Sequence, residues 1–510
     1  MKYSKILIIF ILIFGFAYRL YGMSENHSFW TDEDHVAIFS KAVLEKGKPV
    51  LASGFNIGIY QLPMYWLGAL GMKVFGNIEM AIRWPSLVFG VLTILAVYLL
   101  SEKLFSKQVG LLAAFLTTFF NIEILWSIQA RPYQAIQFFW LLGTYLFFRY
   151  FAERQKKFLL LTIVCGFLAG FFHPLGSVFL ASQFIFYAVK TFFRNGRKEY
   201  ILPLWLLLLA NLPLLYFVPP EKINKLFSFS NFFYYRVFLI NNYLLLVLFC
   251  LLGFCFLLIK NKKREFVYFV LVLGMQVFAV SFLAPQPFTR YFYPIFVFII
   301  LLASYGILEI RNWILDIGGR KTGMDIGYQK LDIGGRISSI QYLISIFLIP
   351  LVVFSLWKSD KLSLFPQKIY SLNADMQEIP EVDWKKIYMF VGEKLKLQPG
   401  AILVTNWMDT PIWFLGEGRL DFLLRKSSLE VDLFSGAKYI NSLDKFLDLI
   451  EEEPAGILVL DSWDEAVPEG IREYCHNNLK LEFEIDRLYP VQPRYWTVWV
   501  YSWGYTETGY

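Results

Sequence analysis

Long apolar runs recur through most of this chain, and they constrain its fold more than any other feature. A helix needs about 20 apolar residues to cross a bilayer, because no water is there to bond to backbone groups. About eleven such runs occur. They are Ile6–Tyr21, Ile82–Leu100, Val109–Trp126, Tyr133–Phe151, Phe158–Phe172, Leu175–Phe193, Ile201–Val218, Val237–Ile259, Phe266–Leu283, Tyr291–Ile310 and Ile337–Trp357. Hydrophobic residues make up 57% of the 510 residues and charged residues only 17%. The sequence therefore predicts a mostly α, polytopic protein of the cytoplasmic (inner) membrane.

Clusters of Lys and Arg predict the orientation of the chain. The segment "MKYSK" precedes the first apolar run, and "SEKLFSK", "ERQKK", "RNGRK" and "KNKKRE" separate later runs. Segments of this kind stay in the cytoplasm. The N-terminus is then cytoplasmic, and an odd number of spans places the loop 22–81 and the C-terminal region outside. These loops account for the formal net charge of +7, so we expect no nucleic-acid partner. A cleaved signal peptide is the alternative for the first run, but no small-residue cleavage pattern follows it.

The composition changes after Trp357, where the apolar runs end. Two short apolar runs bounded by turn residues predict buried strands, and "LKLEFEI" and "YWTVWVYSW" alternate like further strands. The two runs are Ala401–Asn406 and Gly456–Ser462; the predicted helices are Asp383–Leu395 and Leu443–Glu452, the latter capped by Ser442. We therefore expect a transmembrane domain over 1–357 and a small extracytoplasmic α/β accessory domain over 358–510.

A short repeat lies between the last two predicted spans. The motif "LDIGGR" occurs at Leu315–Arg320 and again at Leu331–Arg336. A phosphate-binding loop would need a strand before it and a helix after it, and this Gly-rich segment has no such context. It predicts a solvated cytoplasmic linker.

The acidic segment "FWTDEDHVAIFSKAV" directly follows the first predicted span. Thr31 could cap a helix whose first turn holds Asp32, Glu33 and Asp34, where negative charge favours the helix dipole. A carboxylate at the membrane boundary could instead act as a general base, because desolvation raises its pKa. Capping explains one or two acids but not three in a row. The residues alone leave both interpretations open.

Other segments resemble the GT-C membrane glycosyltransferases. The acidic segment is followed by a Gly-Lys-Pro turn, then "LPMYWLGALGMKVFG" and "AIRWPSLVFGVLTILAVYLL". The segment "WSIQARPYQA", a short loop with His173 and the span "TRYFYPIFVFIILLA" come later. Their order and spacing, over about residues 1 to 310, are most similar to the dolichyl-phosphate-mannose–protein mannosyltransferase and lipid A aminoarabinose transferase group. This resemblance implies a GT-C fold in which the first outer loop, 22–81, carries the catalytic residues.

The resemblance also implies an activity. Such an enzyme transfers a sugar from a polyprenyl-phosphate donor to a hydroxyl of a glycan, lipid or protein acceptor, with inversion at the anomeric carbon. Asp32 takes the place of the catalytic base, and Glu33 is the second acid of the pair. The leaving phosphate needs cationic partners, and Arg83, Arg131 and Arg290 stand at predicted outer ends of spans. Anchoring at the interface is the alternative role for these arginines.

Several further residues carry weaker expectations. The resemblance implies that His173 contacts the substrate, although a hydrogen-bonded loop histidine is the simpler interpretation. Gln129 stands where the similar proteins have a glutamate, and Glu123 is a nearby acid that could replace it.

A divalent cation is a candidate cofactor, with Asp32, Glu33 and Glu123 as candidate ligands. Leu62 replaces a lysine of some similar proteins, and Lys222 and Lys225 are weaker phosphate candidates.

Other functions stay open at this stage. A glycan polymerase or ligase that uses a lipid-linked glycan would need the same chemistry. A transporter usually places ionisable residues in mid-span, whereas the charges here collect at span ends. A receptor or scaffold acting through residues 358–510 would leave the acidic segment unexplained.

Overall fold

The computed structural model describes most of the chain. The described residues are 2–24, 29, 32–59, 61–76, 78–193, 205, 230–284, 286–320, 333–367, 382–486 and 496–504. Contacts divide the chain into two compact units. The first unit comprises Met1–Met23 and Ser86–Met376, and the second comprises Ser24–Pro85 and Gln377–Tyr510. The predicted division at residue 357 keeps the first outer loop with the spans, whereas the contacts group that loop with the C-terminal region.

Helices match the predicted apolar runs wherever these fall in the described part of the chain. They are α1 Lys2–Ser24, α2 Glu33–Lys46, α3 Leu62–Phe75, α4 Glu79–Leu104, α5 Lys107–Phe119, α6 Asn121–Ser127, α7 Tyr133–Glu153, α8 Lys156–Phe172, α9 Val178–Phe193, α10 Ser230–Ile259, α11 Lys263–Phe278, α12 Thr289–Phe292, α13 Phe296–Arg320 and α14 Ile333–Lys358. Single turns of 3-10 helix occupy Pro174–Ser177 and Tyr293–Ile295, and a π-helical turn occupies Ala279–Leu283.

Five of the described helical segments are long and apolar enough to cross a membrane. They are Tyr3–Ser24, Glu79–Leu104, Asn231–Ile259, Lys263–Leu283 and Thr289–Leu315, and three shorter apolar helices accompany them. The predicted run Ile201–Val218 and the middle of the linker, residues 321–332, lie outside the described residues. The mostly helical, membrane-embedded character is therefore confirmed, and the count of about eleven spans stays a prediction.

One predicted span is broken in two. The apolar run Val109–Trp126 continues as α5 and α6, and the backbone at Phe120 between them is extended. The segment after α14 bonds to the groups freed at this break. The amide of Asn121 donates to the carbonyl of Lys361 at 3.0 Å, and the amide of Ser363 donates to the carbonyl of Phe119 at 2.8 Å. Irregular backbone among apolar helices is tolerated because these partners satisfy it.

Small residues bring α10 and α13 close together. A Cβ atom added to Gly253 would lie 2.3 Å from the carbonyl oxygen of Leu302, and one added to Gly306 would lie 2.2 Å from that of Phe249. Contacts of this kind are the usual way in which membrane helices pack, since lipid provides no hydrophobic drive between them.

The C-terminal region of the second unit folds around a six-stranded sheet in the order β3-β2-β1-β4-β6-β5. The strands are β1 Ile402–Thr405, β2 Phe422–Leu424, β3 Lys438–Ile440, β4 Gly456–Asp461, β5 Lys480–Asp486 and β6 Thr497–Trp503. Neighbours among β3, β2, β1 and β4 are parallel, whereas β6 runs antiparallel to β4 and β5. The helices are α15 Trp384–Leu397, α16 Asp409–Leu415, α17 Leu443–Glu452 and α18 Ile471–Asn478.

The predicted α/β elements are present in this region. Every residue of β4 is buried, as expected for a central strand covered on both faces. The side chain of Asp383 caps α15 by accepting from the amide of Lys386. The side chain of Ser442 caps α17 by accepting from the amide of Lys445 at 3.3 Å, as the sequence predicted.

We expect Gly306→Leu to push α13 away from α10 and to lower the thermal unfolding temperature of the protein in detergent. Overpacking of this kind costs about 1–3 kcal/mol. The matched control is Gly274→Leu in α11, where an added Cβ would meet no atom within 4 Å. Equal unfolding temperatures for the two variants would contradict the close helix contact.

Candidate functional site

The acidic segment begins α2 with an unusual backbone. Helix α2 begins at Glu33, and Asp32 occupies the N-cap position with a left-handed φ of 71°. The carboxylate of Asp32 makes no capping hydrogen bond to α2, and the side chain is exposed. Thr31, the predicted cap, lies outside the described residues. Capping therefore does not account for the carboxylate of Asp32.

Glu33 forms a buried ion pair with Arg83 of α4. The Nε and Nη2 atoms of Arg83 donate to Oε1 and Oε2 of Glu33 at 2.8 and 2.9 Å. The side chains of Arg83 and Glu33 are 2% and 0% exposed, and the guanidinium carbon lies 5.0 Å from the centre of the Phe29 ring. Glu33 is predicted as a catalytic acid and Arg83 as a phosphate ligand. In the structure these two side chains form an ion pair with each other. Their predicted roles toward a substrate stay predictions.

Asp34 belongs to the second unit and lies near the carboxylate of Asp409, which comes from the C-terminal region. It is buried, and it accepts a hydrogen bond from the side chain of Thr410 at the start of α16. Burial raises the pKa of Asp34 well above its ordinary value, and the neighbouring Asp409 raises it further. Burial likewise raises the pKa of Asp409 to about 7, with Asp32 as the next cause. These three carboxylates therefore interact electrostatically at the start of α2.

Residues of the C-terminal region also contact α2 further along the helix. The ring of His35 stacks on that of Phe434 with centroids 5.4 Å apart. Near the end of α2, Lys46 forms an ion pair of 2.9 Å with Glu417. Burial lowers the pKa of His35 to about 4, so its imidazole is neutral at pH 7. Local sequence patterns contain no signal for these contacts, because the partners lie about 370 to 400 residues apart in the chain.

The first unit brings together His173 and Arg290, two of the predicted substrate-binding residues. Tyr291 lies next to both, since its ring centre is 6.0 Å from that of His173 and 5.5 Å from the guanidinium carbon of Arg290. Arg290 also lies over the ring of Phe288 at 3.9 Å. Burial and, as the smaller cause, the charge of Arg290 together lower the pKa of His173 to about 3. His173 is therefore neutral at pH 7, and its Nδ1 accepts from the amide of Leu175 at 3.2 Å, which leaves Nε2 as the donor.

Arg131 belongs to the same unit and is linked to this pair through aromatic rings. Its guanidinium carbon lies 5.8 Å from the ring of Trp126. Trp126 contacts Tyr133 at 5.6 Å, and Tyr133 contacts His173 at 5.5 Å. The side chain of Arg131 is buried, and its backbone carbonyl accepts from the hydroxyl of Ser86 at 3.2 Å. The structure thus places Arg131, His173 and Arg290 around one aromatic cluster.

Glu123 has a defined position inside the helical unit. Its Oε2 accepts from the hydroxyl of Tyr293 at 2.8 Å, and its Oε1 accepts from Gln137 at 3.1 Å. Gln134 also contacts the Tyr293 hydroxyl at 2.5 Å. Because Tyr293 follows Arg290 by three residues and Gln134 follows Arg131 by three, this buried network ties together the two segments that carry the arginines.

The predicted metal set stays a prediction. Across the described residues, no group of three or more His, Cys, Asp or Glu side chains is arranged to hold a metal ion. Asp32 and Glu33 belong to the second unit and Glu123 to the first. Lys222 and Lys225 lie outside the described residues.

The sequence matches a known family over part of its length. Residues 62–220 match the family model described as dolichyl-phosphate-mannose-protein mannosyltransferase. A protein of Aquifex aeolicus (strain VF5), named only as uncharacterized, is 30% identical over 190 residues. That alignment covers 35% of this chain and 37% of the relative, so the chain spans little more than a third of the relative's length.

Two solved structures share the fold. ArnT from Cupriavidus metallidurans, bound to undecaprenyl phosphate, has a TM-score of 0.55 and 13% identity, over 98% of each chain. The archaeal oligosaccharyltransferase AglB from Archaeoglobus fulgidus, in complex with an inhibitory peptide and a dolichol-phosphate, has a TM-score of 0.52 and 12% identity. That match covers 90% of this chain and 69% of AglB. The chain therefore shares the fold of ArnT and AglB, as the resemblance described above implies.

We expect Arg83→Met to destabilise the protein by about 3–5 kcal/mol, because it leaves the charge of Glu33 buried without its partner. The double variant with Glu33→Leu should recover much of this loss, since it removes both charges. Thermal unfolding of the purified protein in detergent compares the three forms. A single variant as stable as the wild type would contradict the buried ion pair.

The stability of the second unit should depend on pH through Asp409. Its pKa is about 7 in the folded protein and about 4 in an unfolded chain. The folded state therefore holds more protons between these values, and stability falls as the pH rises from about 4 to about 7. We expect Asp409→Asn to raise the unfolding temperature most at pH 8 and to flatten the pH profile. Asp448→Asn, an exposed change on α17, serves as the control and should leave the profile as it is.

Proposed function

We propose that this chain is a membrane glycosyltransferase that takes a sugar from a polyprenyl-phosphate donor and transfers it to an acceptor hydroxyl. The observation that carries the proposal is the position of Asp32, directly after the first span of a chain with the GT-C fold. Its side chain is exposed and can meet an acceptor from the solvent, although it is not desolvated as expected from the sequence. The family match over residues 62–220 supports the same activity. The undecaprenyl phosphate bound to ArnT and the dolichol-phosphate bound to AglB support a donor of the polyprenyl-phosphate class.

The proposed reaction is a single displacement. The acceptor oxygen forms a bond to the anomeric carbon while the bond between that carbon and the phosphate oxygen breaks. The hydroxyl proton passes to Asp32, and the electron pair leaves with the polyprenyl phosphate. One base and a good leaving group suffice for this step, which inverts the anomeric carbon; the paired carboxylates of a retaining glycosidase are not required.

The remaining residues have supporting roles in the proposal. Arg131 and Arg290 stabilise the negative charge that develops on the leaving phosphate, since a guanidinium donates to phosphate in a fixed fork. His173, neutral and with Nε2 as donor, adds a hydrogen bond to the phosphate or the sugar. Glu33 holds the start of α2 through Arg83 and so positions Asp32. We place the reaction on the outer face of the cytoplasmic membrane, following the charge pattern of the loops.

A lipid-linked glycan polymerase or ligase would use the same residues with a longer donor. The proposed enzyme uses a donor that carries one sugar, whereas a polymerase or ligase uses a donor that carries several. Transfer from a donor with a single sugar therefore favours the proposed enzyme.

We expect Asp32→Asn to lower sugar transfer by about 10²- to 10⁴-fold, the contribution usual for a general base. Asparagine also adopts the left-handed backbone, so the change removes the charge without adding strain. The measurement is the release of sugar from a radiolabelled polyprenyl-phosphate hexose by the purified protein in detergent. Glu45→Gln, an exposed change on the same helix, is the control and should keep full activity. Equal transfer by Asp32→Asn and the wild type would rule out Asp32 as the base.

A further inference from the structure

Helix α16 contacts the acidic segment on both sides of Asp32. The ring centre of Trp413 lies 5.3 Å from that of Phe29, which precedes Asp32 by three residues. The hydroxyl of Thr410 donates to Asp34, which follows Asp32 by two residues. These four contacting side chains are buried and belong to the same compact unit. Because Thr410 and Trp413 are three residues apart in a helix, one face of α16 makes both contacts.

The sheet of the C-terminal region places α16 at this position. Strand β1 ends at Thr405, and α16 begins four residues later, at Asp409. Strands β2 and β3 lie on one side of β1, whereas β4 lies on its other side. In open α/β sheets, ligands bind at the carboxyl ends of the strands where the strand order reverses in this way. Here α16, which follows that end of β1, contacts the acidic segment of the same chain.

The loop from β1 to α16 is itself bonded to β4. The side-chain amide of Asn406 donates to Oδ2 of Asp461 at 2.8 Å, and its carbonyl oxygen accepts from the backbone amide of Asp461 at 3.3 Å. Both residues are buried. Buried groups that bond to each other twice have few alternative arrangements. Helix α16 therefore begins close to a fixed point on the sheet.

The hydrogen bond between Thr410 and Asp34 sets the register of α16 against α2. A buried carboxylate needs donors in place of the water it has lost, and a threonine hydroxyl supplies one. Beyond α16, Glu417 forms an ion pair of 2.9 Å with Lys46, the last residue of α2. This pair is partly exposed and adds little stability. It shows, however, that one stretch of the C-terminal region follows α2 from its first turn to its last.

We propose that α16 is a positioning element for the catalytic base. Thr410 and Trp413 hold the acidic segment on either side of Asp32 and thereby fix the backbone that carries its carboxylate. Both residues act through Asp32 and neither touches the substrate. This inference rests on the proposed function, in which Asp32 takes the proton of the acceptor. It gives the C-terminal region a part in catalysis, whereas the sequence predicts only an accessory domain.

The first measurement compares Thr410→Val with Thr410→Ser in the full-length protein in detergent. Valine keeps the shape of the side chain but removes the hydroxyl, whereas serine retains the hydroxyl. We expect Thr410→Val to lower kcat for sugar transfer from the radiolabelled polyprenyl-phosphate hexose by about 10- to 100-fold, because small displacements of a reacting group are costly. The KM for the donor should stay within about twofold of the wild-type value. Thr410→Ser should recover most of the lost activity.

A second measurement reports on the segment without any substrate. The amide of Val36 donates to the carbonyl of Asp32 at 3.4 Å, at the start of α2. Hydrogen exchange of residues 33–38 should be about 5- to 10-fold faster in Thr410→Val than in the wild type, because a helix end that loses one hydrogen bond opens more often. Thr410→Ser should exchange like the wild type.

Ser442→Ala is the matched control. It removes the cap of α17 in the same compact unit and lowers stability by a comparable amount, but it leaves the contacts of α16 intact. It should keep the wild-type kcat and the wild-type exchange of residues 33–38. Thermal unfolding checks that every variant is folded. If Thr410→Val does not fold, Trp413→Leu replaces it, with Trp413→Phe as the variant that retains a ring against Phe29.

The inference is overturned if Thr410→Val keeps the wild-type kcat, or if Ser442→Ala lowers kcat as much as Thr410→Val does. Unchanged exchange of residues 33–38 in Thr410→Val also overturns it. If the wild type transfers no sugar while exchange changes as expected, the proposed function fails and the hold of α16 on the segment stands. Normal transfer that Thr410→Val leaves unaffected contradicts this inference alone.

Discussion

The fork of hydrogen bonds between Arg83 and Glu33 is the interaction on which the arrangement of the acidic segment depends. Both groups are almost fully buried, so each needs the other to compensate for the water it has lost. The fork fixes the first residue of α2 against α4, and α4 is one of the helices long enough to cross a membrane. The carboxylate that precedes it in the chain is thereby held at a defined place. A lysine could not replace Arg83 here, because it lacks two parallel donors.

Buried polar groups have the same organising role in the helical unit. Tyr293 and Glu123 meet two glutamine side chains among apolar helices, where an unsatisfied polar group would be costly. Such a network has few alternative arrangements, so it fixes the register of the segments that carry Arg131 and Arg290. Polar contacts thus position the candidate residues within each compact unit, and apolar packing surrounds these contacts.

Much of the fold could be predicted from the sequence, because hydropathy and capping act over short distances along the chain. The helix Leu443–Glu452 and its Ser442 cap are examples, and β4 is another. The break at Phe120 could not be predicted, since the groups that satisfy it come from Lys361 and Ser363. The partners of the candidate site were missed for the same reason. The local sequence predicts Asp34 only as part of a helix turn, and nothing in it indicates that Asp409 lies beside this residue.

The left-handed backbone at residue 32 has an evolutionary consequence. Only glycine, asparagine and aspartate adopt this conformation readily, because other side chains crowd the following carbonyl. The local geometry therefore accepts three residue types, and one of them alone carries a negative charge. A single nucleotide change can turn an aspartate codon into one for asparagine or glycine without disturbing the backbone. A relative that keeps the fold but loses the proposed transferase activity could therefore arise by one substitution at residue 32, without any change in the backbone.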